Sequence, residues 1–471
     1  MKILHYSLGL PPLRTGGLTK YSVDIMLSQV ENGDEVYLLY PGHFTLDKKL
    51  RVIENKLFKG VRVFEILNPL FIPLMGGISS PKEYLKNIDI NIYLDFLRMV
   101  DAQIIHIHTL MGFSKEMITA AYELNIKTVF TSHDYFGICP KVNLIDLQGE
   151  ICSNYDNGKK CVLCNANGYS NSLMTFMQSM IYRKLKNSYI IKKLRTCKKE
   201  IIRKKYNDLD DTKQIDVNTS INIKTLSNQY VKLRKYYIDI LNNIDCIHYN
   251  SSLAKKVYEK YIDNTNSRVL NISHLDIKDN RVQKNSNPKD PLKITYIGPI
   301  EKYKGVFFLL DVLKKLLKNN INNWDLNLYG GTEYINLEKL QDKVTVNGTY
   351  DYSKLGYIFK NTDVLVVPSI WYETFGYIAL EAFSYGVPVI MTQFVGFKDM
   401  ITNEVTGIVI KADQDELYRR LQSIIKNRTL LSRINGNINK LPSIYTMEKH
   451  TLGVMDLYTD LIKGEIVLWK Y

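Results

Sequence analysis

Two glutamates, Glu373 and Glu381, with seven residues between them, flank a predicted strand-to-helix turn that can hold an anionic ligand. The preceding run, residues 364–367, is apolar and of strand length, which predicts a buried parallel strand. Glu373 then lies in the loop that faces the ligand. Glu381 lies two helical turns further, roughly 12 Å along the axis, and reaches a more distant part of the same ligand. A surface helix with two solvated glutamates is the alternative interpretation.

The helix after this turn is predicted to begin with an anion-binding end. Thr374 is a suitable N-cap, and the helix is expected to continue to about Tyr385 and to stop at Gly386. In its first turn the free N–H groups and the positive end of the helix dipole attract phosphate or the polar edge of a sugar. The residues at this helix start are Phe375, Gly376 and Tyr377.

Two further loops carry groups suited to phosphate. Lys302 and Lys304 follow the predicted strand 293–298, where a lysine can neutralise a diphosphate leaving group as negative charge develops. Gly16 and Gly17 open the first predicted helix, and their N–H groups can face a phosphate or an acceptor. This pair does not match Gly-x-Gly-x-x-Gly, so a dehydrogenase is disfavoured. A tight turn without a ligand is the alternative.

His133 follows the predicted strand 127–131, at the end of the strand from which a polar side chain reaches a cleft. A single histidine in such a position is more often structural than catalytic, and its residue type alone leaves both roles open.

The architecture that must position these residues is indicated by length and pattern. A chain of 471 residues with 45% hydrophobic residues predicts a globular protein of two to three domains. Strand and helix patterns alternate, which predicts two doubly wound parallel-sheet domains joined by a polar linker at 276–291. Such domains place the carboxyl ends of their strands around a shared cleft, where ligands bind.

The formal charge of +14 indicates an anionic partner: nucleotide phosphates, an acidic membrane surface or nucleic acid. No stretch has the length of apolar residues that a membrane helix needs, and the N-terminal run lacks a cleavage site for a signal peptide. The sequence therefore predicts a cytoplasmic protein, peripheral to the inner face of the cell membrane at most.

The segment from Pro368 to Val389 follows the pattern Pro-Ser-x-x-x-Glu-Thr-Phe-Gly-x-x-x-x-Glu-Ala-x-x-x-Gly-x-Pro-Val without a gap. This pattern resembles the donor-site signature of retaining GT-B glycosyltransferases, a family that includes bacterial polysaccharide and phosphatidylinositol mannosyltransferases. The resemblance implies an α/β protein with two Rossmann-like domains that face a central cleft. The implied division is an acceptor-side domain at 1–275 with a basic helical insertion at about 139–240, a donor domain at 290–445, and a C-terminal helix at 446–471 that crosses back to the first domain.

The resemblance also implies roles for the residues. The donor is a UDP- or GDP-sugar and the acceptor is a sugar or a lipid-linked glycan. Glu373 and His133 lie near the transferred sugar, Glu381 holds the nucleotide ribose, and Lys304 matches the family's Lys-Gly. Gly16 and Gly17 close over the donor phosphates and the acceptor. Together with Lys302, Phe375, Gly376 and Tyr377 they form the expected diphosphate and sugar site.

One position departs from the family. Where the family usually has an arginine directly after a glycine, this chain has Pro299 after Gly298. Either Lys302 compensates for the arginine or the diphosphate is held less firmly. The implied catalytic residues are His133, Glu373 and Lys304, and no metal is needed for the chemistry. Retention without a protein nucleophile implies attack on the face that the diphosphate leaves, with the leaving phosphate accepting the acceptor's proton.

Four cysteines form a separate group with the spacing Cys-x12-Cys-x8-Cys-x2-Cys: Cys139, Cys152, Cys161 and Cys164. Four thiolates that close on a Cys-x-x-Cys turn can bind structural zinc. Reduced thiols in a loop are the alternative, and disulfides are not expected in a cytosolic chain.

Residues 183–205 contain eleven lysines and arginines and the single acid Glu200, interleaved with apolar residues. A basic amphipathic helix of this kind can lie on an anionic bilayer. A solvated insertion is an equal alternative, and no nucleic-acid motif accompanies the charge, so no nucleic acid is expected as a partner.

The sequence therefore predicts a retaining glycosyltransferase for cell-surface polysaccharide or glycoconjugate synthesis. Two alternatives stay open: a non-catalytic GT-B partner of an active enzyme, which Pro299 favours, and a GT-B nucleotide-sugar epimerase.

Overall fold

The computed structural model of the protein describes residues 1–73, 77–186, 188, 217–284, 287–331 and 335–464. Most of the basic segment predicted at 183–205 lies outside the described residues. So do Cys197 and two residues of the predicted linker, Asn285 and Ser286.

The first domain is built on an eight-stranded sheet. Its strands in chain order are Lys2–Tyr6 (β1), Glu35–Pro41 (β2), Arg51–Glu54 (β3), Arg62–Leu67 (β4), Ile104–Ile107 (β5), Lys127–Thr131 (β6), Cys246–Tyr249 (β7) and Ser267–Val269 (β8). Their spatial order is β3-β4-β2-β1-β5-β6-β7-β8, and every neighbouring pair is parallel except the antiparallel β3 and β4 at one edge.

The second domain is built on a six-stranded, wholly parallel sheet. Its strands are Leu292–Ile297 (β9), Trp324–Tyr329 (β10), Val344–Val346 (β11), Val364–Val367 (β12), Val389–Thr392 (β13) and Ile408–Ile410 (β14). Their spatial order is β11-β10-β9-β12-β13-β14. The prediction of two parallel-sheet domains is confirmed.

The described helices connect these strands. In the first domain they are Gly17–Glu31 (α1), Ile90–Val100 (α2), Lys115–Glu123 (α3), Lys159–Cys164 (α4), Asn171–Met177 (α5), Met180–Leu185 (α6), Val217–Asn242 (α7) and Ser252–Tyr258 (α8). In the second part of the chain they are Val306–Lys318 (α9), Leu355–Lys360 (α10), Tyr377–Ser384 (α11), Gln414–Lys426 (α12), Thr429–Lys440 (α13) and Met447–Lys463 (α14). Among the described residues, no helix has the length and apolar character needed to cross a bilayer.

Two details of the second domain differ from the sequence prediction. The apolar run 387–390 predicts a strand, but the strand begins two residues later, at Val389, because Pro388 has no N–H to donate to the sheet. The Pro388 carbonyl oxygen accepts from the N–H of Leu365 on the neighbouring strand. The helix expected to start from Thr374 is capped by Gly376 instead, at φ 96°. A side chain at Gly376 would place its Cβ 2.8 Å from Cγ1 of Val395, so this tight entry requires glycine.

The last helix, α14, lies against α1 of the first domain. Tyr21 of α1 is hydrogen-bonded through its hydroxyl to His450 Nε2 (2.7 Å), and Thr451 Oγ1 donates to Ser28 Oγ (2.9 Å). Arg268 at the end of the sheet pairs with Asp460 at 2.6 Å. The chain therefore returns to the first domain after completing the second.

The apolar core follows this arrangement. Ile3 packs with the core of the second domain, whereas its neighbour Leu4 packs with the opposite face of the first sheet. Successive residues of a strand point to opposite faces, so one face of the first sheet shares a continuous core with the second domain.

Candidate active site

The centre of the candidate site is an ion pair between Lys304 and Glu373. Lys304 Nζ donates to Glu373 Oε1 at 2.9 Å, and Ser369 Oγ donates to the other carboxylate oxygen at 2.5 Å. The lysine side chain is 19% exposed and the glutamate side chain 16% exposed. Burial alone would raise the pKa of Glu373, but Lys304 and Ser369 together hold it below its usual value. Glu373 is therefore a carboxylate at neutral pH.

The position of Lys304 depends on the close approach of two loops. Gly305 follows the short helical turn Lys302–Lys304 with φ 79°, and a Cβ at this residue would collide with the carbonyl oxygen of Pro368. The loop after β9 thus touches the loop after β12, which carries Ser369 and Glu373. A side chain at Gly305 would separate the lysine from the glutamate.

The helix start beyond Glu373 offers unused donors. Within the described chain, the N–H groups of Gly376 and Tyr377 donate to no other atom. Phe375 is different, because its side chain is 2% exposed and packs on Phe397 within the core. The side chain of Phe375 therefore supports the turn from below and does not line a site.

Glu381, on α11, forms a separate set of polar contacts. Its Oε1 accepts from Tyr352 OH and from His274 Nε2, both at 3.1 Å. His274 is buried and also packs against the ring of Tyr377 at 5.3 Å between centroids. No sequence pattern pointed to His274 or Tyr352, which are distant from Glu381 along the chain.

His133 joins the two domains at this place. Thr374 Oγ1 donates to the His133 carbonyl oxygen at 3.0 Å, which is why the threonine does not cap α11. Burial, and then the field of His248, lower the pKa of His133 to about 3, so its ring is neutral at physiological pH. Its Nε2 is buried and has no partner in the described chain.

Gly16 and Gly17 meet the same turn from the first domain. Gly16 precedes α1 with φ 109°, a conformation that glycine adopts at no steric cost. A Cβ at Gly17 would lie 3.6 Å from the ring of Tyr377. The glycine pair and the start of α11 therefore border one space between the domains.

Lys302 points elsewhere. Its Nζ donates to the carbonyl oxygen of Gln148 at 3.0 Å and lies 3.8 Å from Glu150, in a loop of the first domain. Beside it a groove of about 750 Å³ separates this loop from the second domain. Pro299, at the family's arginine position, accepts a hydrogen bond from Tyr296 OH through its carbonyl oxygen.

A cluster of buried histidines underlies the site, and sequence reasoning missed it. His5 Nδ1 is hydrogen-bonded to His108 Nε2 at 2.9 Å, and His106 contacts Tyr458 OH and Thr131 Oγ1. The members are His5, His106, His108, His133, His248 and His450. Burial is the main cause that lowers the pKa of each of them. The alternating pair His106 and His108, at the carboxyl end of β5, was the available signal.

Three of these rings, His5, His106 and His108, bring ligand atoms within 4.8 Å of one another, the one such set among the described residues. Both nitrogens of His5 and of His106 already have hydrogen-bond partners. The arrangement is that of a neutral hydrogen-bond network.

The four cysteines lie in the stretch between β6 and the end of α4. All four are free thiols, with Cys139 and Cys161 buried. Burial, above all, raises the pKa of Cys161 to about 12 and that of Cys164 to about 11. No three of the sulfur atoms lie within 4.8 Å of one another, and structural zinc stays a prediction.

Comparison with known proteins relates part of this chain to a family. Residues 277–441 match the family model of glycosyl transferases group 1. A 41.2 kDa protein in the cps region of Klebsiella pneumoniae, itself uncharacterized, is 31% identical over 28% of this chain and 36% of its own length. The UDP-Gal:alpha-D-GlcNAc-diphosphoundecaprenol alpha-1,3-galactosyltransferase of Escherichia coli is 26% identical over 36% of this chain and 45% of its own length. The chain thus spans a third to a half of the curated relatives it matches.

Solved structures share the whole fold. The structure of Alr3699/HepE from Anabaena in complex with UDP-glucose has a TM-score of 0.54 and 12% identity, and the match covers 98% of this chain and 100% of that one. At this identity the likeness shows the fold alone. Residues 277–441 thus match the glycosyl transferases group 1 family, in a chain with the GT-B fold.

Proposed function

We propose that this protein is a retaining glycosyltransferase. It transfers a sugar from a nucleotide-diphosphate sugar to an acceptor hydroxyl in the synthesis of a cell-surface polysaccharide or glycoconjugate. The observation that carries the proposal is the Lys304–Glu373 pair beside a helix start with unused N–H groups, facing a glycine pair across the domain boundary. Cations and free N–H groups around one space suit a diphosphate, which carries two or more negative charges.

The roles follow from charge and position. Lys304 and the N–H groups of Gly376 and Tyr377 stabilise the departing diphosphate as its bond to the sugar breaks. Glu373, kept ionised by Lys304, accepts hydrogen bonds from sugar hydroxyls and orients the ring. The neutral ring and the carbonyl group of His133 border the sugar on the side of the first domain. Glu381 holds the ribose, with Tyr352 and His274 fixing the carboxylate.

The donor is proposed to carry uridine. The Anabaena structure holds UDP-glucose in the same fold, and the Escherichia coli relative is named for a UDP-galactose donor. Transfer is proposed to retain the anomeric configuration, as the resemblance to retaining GT-B glycosyltransferases implies. Because Glu373 is paired with Lys304 and is a weak nucleophile, the acceptor is proposed to attack directly, on the face that the diphosphate leaves. The leaving phosphate then takes the acceptor's proton.

The test combines binding with stereochemistry. UDP, GDP and ADP and their common sugars are screened by thermal shift, since a ligand that binds the native state raises apparent stability. The best donor is then used for transfer or hydrolysis, and NMR reads the anomeric configuration of the first product. An inverted product contradicts the retaining mechanism. Release of a nucleotide sugar with one inverted stereocentre, without transfer to an acceptor, identifies the epimerase instead.

A non-catalytic GT-B partner protein is the second candidate. It is favoured by Pro299 at the arginine position and by Lys302, which is held by Gln148 rather than turned towards Lys304. Nucleotide-sugar binding without turnover, with every donor of the screen, identifies this function.

Contact with an anionic membrane surface is also proposed. Apolar side chains on α5 and α6 are exposed near the exposed Lys184: Phe176 (44%), Met180 (42%), Ile181 (64%) and Leu185 (48%). Exposed apolar groups beside cations suit the boundary of an anionic bilayer. Cosedimentation with phosphatidylglycerol vesicles that is lost in Ile181→Glu supports the contact, and equal cosedimentation of that variant contradicts it.

A further inference from the structure

Arg14 is a half-buried cation without a counter-ion. It lies in the loop between β1 and α1, two residues before Gly16, with its stem beside Gly9. Among the described residues, its guanidinium forms no hydrogen bond and no ion pair. Buried guanidinium groups in proteins are normally paired, so the missing partner calls for an explanation.

A second arginine lies beside it and increases the excess of positive charge. Arg183 Nη1 donates to Glu65 Oε1 at 2.7 Å, which uses the one buried carboxylate of this region. Lys186 donates through Nζ to the carbonyl oxygen of Leu13, one residue from Arg14, at 2.8 Å. Glu65 also accepts hydrogen bonds from Tyr40 OH and Asn55 Nδ2, and His43 Nδ1 lies within hydrogen-bond distance of it.

This arrangement is unfavourable for the empty protein. Burial, and then the neighbouring Arg183, lower the pKa of Arg14, which means that the charged form is poorly compensated. An anion between the two arginines would compensate the buried charge of Arg14 and would relieve its repulsion with Arg183. The flat guanidinium fork matches the oxygens of a phosphate, which it binds through two parallel hydrogen bonds.

The place of Arg14 in the fold indicates which anion this is. The loop that carries it ends at Gly17, which faces Tyr377 at the start of α11. Lys304, the cation proposed for the donor diphosphate, lies in the other domain, where it is already paired with Glu373. Arg14 therefore lies on the first-domain side of the cleft, in the loop whose glycine pair borders the space between the donor and the acceptor.

We propose that Arg14, with Arg183 and Lys186 beside it, binds a phosphate or diphosphate group carried by the acceptor. This inference rests on the proposed function and names its acceptor class as phosphorylated. The anionic group is held by the first domain, and the acceptor hydroxyl extends from it towards Glu373.

The test separates this site from the donor site. The protein is first saturated with UDP, so that the donor phosphates are already in place, and inorganic pyrophosphate is then titrated by calorimetry and thermal shift. We expect a further stabilisation in the wild type and a loss of pyrophosphate affinity of about tenfold or more in Arg14→Gln. Because Arg14 has no partner, this variant keeps the stability of the empty protein or exceeds it. Arg51→Gln, which removes the same charge from an exposed pair with Asp47, is the matched control and leaves pyrophosphate binding unchanged.

Farnesyl diphosphate in detergent distinguishes the source of the anion. If farnesyl diphosphate binds more tightly than pyrophosphate, the acceptor is lipid-linked. If the two bind equally, the acceptor is a soluble phosphorylated sugar. Either result supports the site when Arg14→Gln weakens the binding. Undiminished pyrophosphate binding in Arg14→Gln, or no binding to the UDP-saturated wild type, overturns the inference. If UDP itself fails to bind, the proposed function fails, while pyrophosphate titration of the unsaturated protein still reports on Arg14.

Discussion

Acidification from pH 7.5 to pH 5.0 should destabilise this protein strongly, because its buried histidines are neutral in the native state. Burial lowers the pKa of His5 and His248 to about 4 and that of His133 to about 3. The unfolded chain takes up protons near pH 6.5, the ordinary histidine value. A lowered native pKa contributes stability that is complete above pH 6.5 and is lost as the pH falls towards 4.

The magnitude follows from linkage. At pH 5.0 each of the three histidines costs about 2 kcal/mol, so together they cost about 6 kcal/mol. Asp134 acts in the opposite direction, because burial raises its pKa to about 6 and the native state gains a proton as the pH falls. This stabilisation offsets about 1.4 kcal/mol of the loss at pH 5.0. These four groups alone give a net loss of about 4 to 5 kcal/mol, a large part of the roughly 5–15 kcal/mol typical of a folded domain. His106, His108 and His450, whose pKa values burial also lowers, add to this loss.

Urea unfolding followed by circular dichroism at pH 7.5, 6.5, 5.5 and 5.0 measures this loss. In His5→Gln one titrating group is absent, so the loss between the end points should shrink by about 2 kcal/mol, whatever the variant's stability at pH 7.5. A wild-type loss below about 1 kcal/mol, or the same pH dependence in His5→Gln, refutes the account of the histidine cluster.

Two further predictions concern the loops that build the site. Gly305→Ala should destabilise the protein by more than the roughly 1–2 kcal/mol that an alanine in the left-handed conformation costs. The added Cβ would collide with the carbonyl oxygen of Pro368. Urea unfolding measures the free energy of unfolding, and a loss below about 1 kcal/mol contradicts the contact. Lys304→Met leaves Glu373 without its cation and should cost about 3 kcal/mol, while Lys304→Met with Glu373→Gln recovers most of it. Additive losses in that double-mutant cycle would show that the two side chains are independent.

The strands were predictable because buried parallel strands are continuous apolar runs between glycine and proline turns. Val364–Val367 was found at its predicted place for this reason, and all four residues are buried. Val389–Thr392 moved by two residues, because the apolar pattern does not reveal that Pro388 cannot donate to the sheet.

The contacts of the site were less predictable, because they join distant parts of the chain. Lys304 and Glu373 were each singled out, but local spacing could not show that they pair with one another across 69 positions. Thr374 has the residue type of an N-cap, but its hydroxyl donates to the carbonyl oxygen of His133 in the other domain. Arg14 carried no signal at all, because only the fold shows that it lacks a partner.

The most direct test of the central proposal is the rate of donor consumption with the best nucleotide sugar, compared between the wild type, Glu373→Gln and Lys304→Gln. UDP affinity, measured separately by calorimetry, shows whether each variant still forms the donor site. We expect the turnover of Glu373→Gln to fall by about a hundredfold or more while UDP binding changes by less than about tenfold, since the carboxylate acts on the sugar. Lys304→Gln should lose both turnover and UDP affinity. Turnover of Glu373→Gln equal to that of the wild type would contradict the assignment of this site.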